Sequence, residues 1–248
     1  MTHHHGALPK AFCLCLVFAA LVGCSPKEDP AAEKVNPETM ETQEQAKTAQ
    51  EPDSLPQEFS PDLTEQPAED DAFFADAAFL GNSLIDGFQL YSGLTTSDYY
   101  CATSMTVSKS EELISQMAQK QYGKVYILLG INEIGYDTGR FIELYQEMLN
   151  SIRAQQPNAA LYIMGLTPVS AEKSASSDVF TMDRVREYNE ALRQLAKDNA
   201  CYYVDLCQAL AGPDGFLPAE ATGDGVHFAA SQYQIWLDYL KTHYHPEG

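Results

Sequence analysis

From residue 72 onward the apolar residues keep switching period, and this alternation constrains the fold more than any other feature of the chain. Phe73 to Leu80 reads as a first strand and Tyr99 to Val107 as a weaker second. Lys109 to Gln121 carries Leu113, Ile114 and Met117 at helical spacing. Val125 to Leu129 is a continuous apolar run, as a strand buried on both faces should be. Phe141, Leu144, Tyr145, Met148 and Ile152 form a helical stripe ended by Pro157, and Ala159 to Leu166 is the next strand. Val185, Tyr188, Leu192 and Leu195 mark another helix, followed by a strand from Tyr202 to Leu206. A last helix starts near Ser231, with Ile235, Trp236, Tyr239 and Leu240 facing inward. Strands alternating with helices predict an α/β domain whose parallel central sheet carries helices on both faces. The aromatic and Met stripes then belong to the core, with no cofactor box among them.

The chain before this domain has a different character. Lys10 precedes an apolar stretch from Ala11 to Gly23, too short for a mature spanning helix and of the length of a signal h-region. It closes on Leu21-Val22-Gly23-Cys24, which resembles a bacterial lipobox with Cys24 as the acylated residue. Residues 1–23 are therefore expected to be a lipoprotein signal peptide, and His3, His4 and His5 to leave with it rather than bind metal. Residues 25 to 71 hold 14 acidic and 3 basic residues, seven prolines and one aromatic, Phe59. Such a stretch cannot bury a core. The expected layout is lipidated Cys24 with a disordered acidic tether over 24–71, spanning roughly 35–40 Å, and one domain over 72–248.

The formal net charge of −20 lies mostly in that tether. The domain is still acidic and has no Lys/Arg cluster, which argues against nucleic-acid binding and against a basic membrane patch. Membrane attachment would rest on Cys24 alone, and the chain is expected to act as a monomer. Cys101, Cys201 and Cys207 remain in the domain, an odd number, so at least one is free. Across an extended strand Cys201 and Cys207 would be about 20 Å apart, too far for a disulfide. A bridge from Cys101 to one of them stays open; buried thiols are the simpler state. No glycine-rich phosphate loop, dinucleotide fingerprint or metal-ligand cluster is present, so no cofactor and no metal are expected.

Three short motifs sit where this architecture would build a site. Gly81-Asn82-Ser83-Leu84 and Gly130-Ile131-Asn132-Glu133 each end an apolar run, the place where open α/β sheets bind ligands. A serine there, at the start of a helix, can serve as nucleophile and first oxyanion donor; the plainer alternative is a helix-capping serine. Asn132 has a side-chain amide able to donate to a developing oxyanion, or is simply a turn asparagine. Asp224-Gly225-Val226-His227 lets a carboxylate fold back onto an imidazole Nδ1–H and leave Nε2 free to take a proton. Its plainer alternative is a turn before the last helix with an exposed histidine. His243 and His245 read as solvated tail residues.

With these motifs in this order, the segment from about Phe79 to Tyr239 resembles the SGNH/GDSL hydrolase family. Gly81 to Leu84 matches its G-D-S-L block, Gly130 to Glu133 its G-x-N-D block, and Asp224 to His227 its D-x-x-H block. The resemblance implies a three-layer α/β/α flavodoxin-like fold, with Ser83 as nucleophile, His227 as base, Asp224 as its partner and Asn132 as an oxyanion donor. The G-x-S-x-G elbow of the α/β-hydrolases is absent around Ser83. Departures are Asn82 and Glu133, where the family has aspartates, and the second block. The glycine whose N–H completes the oxyanion hole is best matched there by Ser104, in Cys101-Ala102-Thr103-Ser104-Met105. A backbone N–H survives that exchange, but a positive φ would be costly.

The expected function is that of an extracytoplasmic, lipid-anchored serine esterase. It would act through an acyl-enzyme on acyl esters, acetyl above all, of a small molecule or cell-surface glycan. Tyr91, Tyr99, Tyr100 and Tyr136 fall near the motifs and are either sugar-stacking platforms or ordinary core and surface aromatics. Two alternatives use the same residues: an O-acetyltransferase acting on an envelope polysaccharide, and a catalytically weak binding protein that keeps the pocket.

Overall fold

The computed structural model describes residues 59–246. The signal segment, Cys24 and the greater part of the tether lie outside the described residues. Within them the chain runs β1 (Ala77–Gly81), α1 (Ser83–Tyr91), β2 (Asp98–Cys101), α2 (Glu111–Met117), β3 (Lys124–Leu128) and α3 (Thr138–Gln155). It continues through β4 (Ala160–Met164), α4 (Ala171–Ser176), α5 (Met182–Asp198), β5 (Tyr202–Val204), α6 (Leu206–Leu210) and α7 (Ala230–Thr242). All five strands are parallel, in the order β2-β1-β3-β4-β5. That is the flavodoxin-like winding, in which the chain reverses direction across the sheet between β1 and β3.

Strand alternation splits the core into two layers. Ala78, Leu80, Val125 and Ile127 face α2, α3 and α5, against Met117, Phe141, Tyr145, Tyr188 and Leu192. Phe79, Tyr126, Leu128 and Tyr162 face α1, α6 and α7, against Phe88, Leu210, Trp236 and Leu240. In the second layer, register brings large rings side by side. Tyr99, Phe79, Tyr126, Tyr162 and Tyr202 are consecutive cross-strand partners over all five strands. Their ring centroids stand 5.3, 4.8, 4.6 and 5.1 Å apart.

Several expectations need correction. Phe73 and Phe74 belong to a 3-10 turn capped by Asp70, so β1 begins only at Ala77. β2 ends at Cys101, and Val107 starts a second 3-10 turn. Ile235 is exposed, because the inward stripe of α7 is Tyr233, Trp236, Leu237 and Leu240. His243 and His245 are half-buried rather than free in solvent: His243 stacks on Tyr239 and His245 on Tyr202. Residues 59–71, assigned by composition to the tether, pack as a strap along the edge at β5 and the end of α7. Tyr203 N–H donates to Pro61, Gln66 N–H to Thr242 and Glu69 N–H to Lys241. Arg193 forks onto the Asp62 carboxylate, and Phe59 lies 5.7 Å from the Tyr202 ring. The strap holds through backbone bonds and two ion pairs, Asp62–Arg193 and Asp71–Lys241, contacts that composition does not reveal.

Candidate active site

The site forms at the carboxyl ends of β1 and β3, where the winding reverses. β1 closes on Gly81, where a Cβ would come within 2.4 Å of Ile85 Cγ1 and 2.7 Å of the Leu128 carbonyl oxygen. Only glycine lets the two strand ends approach so closely. Asn82 then caps α1, its side-chain oxygen accepting from Leu84 N–H at 2.9 Å. The capping residue is thus Asn82, and Ser83 is the first residue of the helix, with its N–H at the positive end of the dipole.

Ser83 Oγ lies 3.0 Å from His227 Nε2, and His227 Nδ1 lies 2.7 Å from Asp224 Oδ2. With Nδ1–H donating to the carboxylate, Nε2 is left to accept the serine proton. The other carboxylate oxygen, Oδ1, accepts from the N–H groups of Val226 (2.9 Å) and His227 (2.8 Å). Partial burial works to raise the Asp224 pKa, but the His227 side chain and these two N–H groups outweigh it and hold it at about 2. The turn requires Gly225 at φ +85°. Thr222 secures it: its hydroxyl accepts from Gly225 N–H at 2.9 Å and donates to the His227 carbonyl at 2.7 Å. Thr222 escaped the sequence reading; its one signal is its place two residues before Asp224.

Two further loops carry the expected oxyanion donors. Ser104 sits at φ +57°, the left-handed conformation in which a glycine would be free of strain. Asn132 follows Gly130, whose φ of +126° is reserved for glycine and whose added Cβ would stand 2.8 Å from Phe141 Cζ. The Asn132 amide is exposed and donates one N–H to the Met105 carbonyl at 2.8 Å, beside Ser104. Glu133 points the other way. It is 2 % exposed, and its carboxylate accepts from Val107 N–H. Burial raises its pKa against the pull of that bond. Loop 102–107 and loop 130–133 are therefore joined twice, through Asn132 and through Glu133.

Of the four tyrosines, Tyr99 is part of the ring ladder and donates to Leu94 O, and Tyr100 is bonded to Tyr122 at 2.6 Å. Tyr91 is exposed but stacks on Tyr233 of α7. Tyr136 is exposed on the loop that carries Asn132. Cys101, Cys201 and Cys207 are all free thiols. The site is open: the His227 and Asp224 side chains are 53 % and 54 % exposed. Beside it a cleft of about 340 Å³ runs between α4 and the 214–225 loop, lined by Ser170, Lys173, Ser176, Asp214, Thr222 and Asp224.

A family profile described as the GDSL-like lipase/acylhydrolase family matches residues 79–235. No curated protein matches the chain. Among solved structures it is similar to a Streptococcus pneumonia protein described, provisionally, as a platelet activating factor. The identity there is 20%, over 67% of this chain and 82% of that one, with a TM-score of 0.57. A GDSL-like lipase from Bacteroides thetaiotaomicron VPI-5482 is 16% identical over 66% of this chain and 85% of its own, with a TM-score of 0.54. An acetyl xylan esterase, AlAXEase, is 18% identical over 66% and 96%, with a TM-score of 0.50. At these identities the likeness is one of fold.

Proposed function

Since the chain belongs to the GDSL-like lipase/acylhydrolase family and is a serine ester hydrolase by kind, we propose that it removes short acyl groups, acetyl above all, from a polar, hydroxyl-rich carrier such as a cell-surface glycan. The observation that carries the catalytic part is the continuous Asp224–His227–Ser83 hydrogen-bond line, at 2.7 and 3.0 Å. Ser83 Oγ attacks the ester carbonyl carbon as its proton passes to His227 Nε2. The oxyanion is held by the N–H groups of Ser83 and Ser104 and by the Asn132 amide. The tetrahedral adduct collapses, and the leaving alcohol takes the proton from His227. Water then gives a proton to His227, attacks the acyl carbon and frees both the acid and Ser83.

What supports a short acyl group is the openness of the site, with both dyad side chains about half exposed. What supports a polar carrier is the hydroxyl- and charge-lined cleft beside Asp224. The acetyl xylan esterase of similar fold acts on an ester of that kind. The lipobox-like Leu21 to Cys24 supports attachment to the outer face of a bacterial membrane through lipid on Cys24.

The test is turnover of p-nitrophenyl acetate against p-nitrophenyl laurate, beside Ser83→Ala. Acetate turnover that requires Ser83 and exceeds laurate turnover supports the reading; a laurate preference overturns the short-acyl part. An oligosaccharide that gains acetyl faster than water takes it would favour acyl transfer. For the anchor, incorporation of a clickable palmitate that is lost in Cys24→Ala is the expected result.

A further inference from the structure

We propose that Arg184, with Tyr188 one turn on, is the positioning residue of the oxyanion hole, fixing from α5 the loop that presents Asn132. This rests on the reading above. The loop from Gly130 to Asp137 leaves β3 through two successive 3-10 turns, in which Glu133 N–H bonds to Gly130 and Tyr136 N–H to Glu133. Such tight turns leave carbonyls without helical partners, and buried carbonyls need donors from elsewhere.

Those donors come from one face of α5. Arg184 Nε and Nη2 both reach the Ile134 carbonyl, at 3.1 and 3.0 Å, and Nη2 also reaches the Tyr136 carbonyl. Tyr188 Oη donates to the Glu133 carbonyl at 2.6 Å and lies 3.1 Å from that of Tyr136. The guanidinium sits 5.0 Å from the Tyr188 ring centroid, and Nη1 is held by Glu187 at 2.6 Å. A rigid planar fork spanning two carbonyls is a geometry that a lysine cannot reproduce. Three carbonyls of one loop, at residues 133, 134 and 136, thus accept from two side chains, that of Glu133 in addition to its bond from Tyr136 N–H.

The hold continues into the second oxyanion loop. Asn132 bonds to Met105 and Glu133 to Val107, one and three residues after the strained turn at Ser104. Fixing loop 130–137 therefore also fixes the direction of the Ser104 N–H. Neither Arg184 nor Tyr188 is near Ser83 in sequence, and neither belongs to any of the three motifs.

A double-mutant cycle on the full chain tests this, with p-nitrophenyl acetate as substrate. Arg184→Met is expected to lower kcat about tenfold with KM within about twofold, because the contacts it supports act on the transition state. In an Asn132→Ala background the same substitution is expected to change kcat less than about twofold, since the group it positions is gone. Arg184→Lys is expected to recover only part of the loss. Tyr188→Phe keeps the ring and removes only the donor, so it serves if Arg184→Met fails to fold; a loss of about threefold that vanishes without Asn132 is expected. An undiminished loss in the Asn132→Ala background, or wild-type kcat in both α5 variants, overturns the proposal while leaving the esterase reading intact. Turnover that persists in Ser83→Ala overturns that reading, and this proposal with it.

Discussion

Ser83 and His227, 144 positions apart in the chain, meet at 3.0 Å with the imidazole already tied to Asp224. The fold thus holds these three side chains in one hydrogen-bonded line, the geometry that proton transfer from the serine to the imidazole requires. Ser83→Ala and His227→Ala are each expected to lower kcat on p-nitrophenyl acetate by roughly 10⁴-fold. Asn132→Ala is expected to cost about 10²- to 10³-fold. Unfolding temperatures near wild type for all three would separate lost chemistry from lost structure.

Ser104 occupies a backbone position made for glycine, at φ +57°. Ser104→Gly keeps the N–H and relieves the strain, offset in part by the greater freedom of glycine in the unfolded chain. The expected gain is about 0.5–1 kcal/mol, a rise in Tm of roughly 2 °C, with kcat within twofold. A fall in Tm would mean that the serine side chain contributes something its exposed position does not suggest.

Gly130 is the converse case. At φ +126°, with a Cβ placed 2.8 Å from Phe141 Cζ and 3.1 Å from Leu166 Cδ2, Gly130→Ala both strains the backbone and overpacks the core. A loss of roughly 2–4 kcal/mol in urea unfolding is expected, together with a fall in kcat as Asn132 moves.

The Asp224 carboxyl sits at about 2 in the folded protein, below its ordinary 3.8. A depressed carboxyl pKa stabilises the fold at every pH above the unfolded value, and this contribution fades as pH falls through the folded one. Asp224→Asn is therefore expected to be less stable than wild type at pH 6. The gap should close between about pH 4 and pH 2. Chemical denaturation of the two proteins at pH 6, 4 and 2.5 measures it; a gap as large at pH 2.5 as at pH 6 would assign it to something other than this ionisation.

The strap of residues 59–71 gives the domain a different beginning from the one composition suggests. A chain starting at residue 72 loses the Phe59 contact, the Asp62–Arg193 fork and three backbone bonds at the sheet edge and α7. Relative to one starting at residue 59 it is expected to be less stable by about 3 kcal/mol. With the β5 edge bare, it is also expected to aggregate more readily. Light scattering and thermal unfolding of the two forms decide the matter.

Much of the fold was legible because its strands are buried runs and α3 and α5 carry long apolar stripes. α4 was not legible: its six residues, Ala171–Ser176, bury no side chain and leave no periodic signal. α6 spans five residues, too few for a period to emerge. The meeting of Ser83, His227 and Asp224 was readable since they fall in short motifs whose spacing suits such contacts. Thr222, Arg184 and Tyr188 were not, because what they do is satisfy carbonyls and turns of loops remote in sequence. Only the folded chain specifies such partners.

The ring ladder across β2, β1, β3, β4 and β5 bears on how this sheet chooses its alignment. Where one face of a sheet meets water, a slipped strand exposes apolar side chains and is rejected. Here β1 and β3 are buried on both faces, so polarity penalises a slip only weakly. Size does so instead. A two-residue shift of β3 would set Tyr126 against Ala77 or Gly81 rather than Phe79, opening a gap at one place and crowding another. The matched rings thus act as a vernier, and Phe79→Ala would be expected to blur the alignment of the sheet before it dissolves the domain.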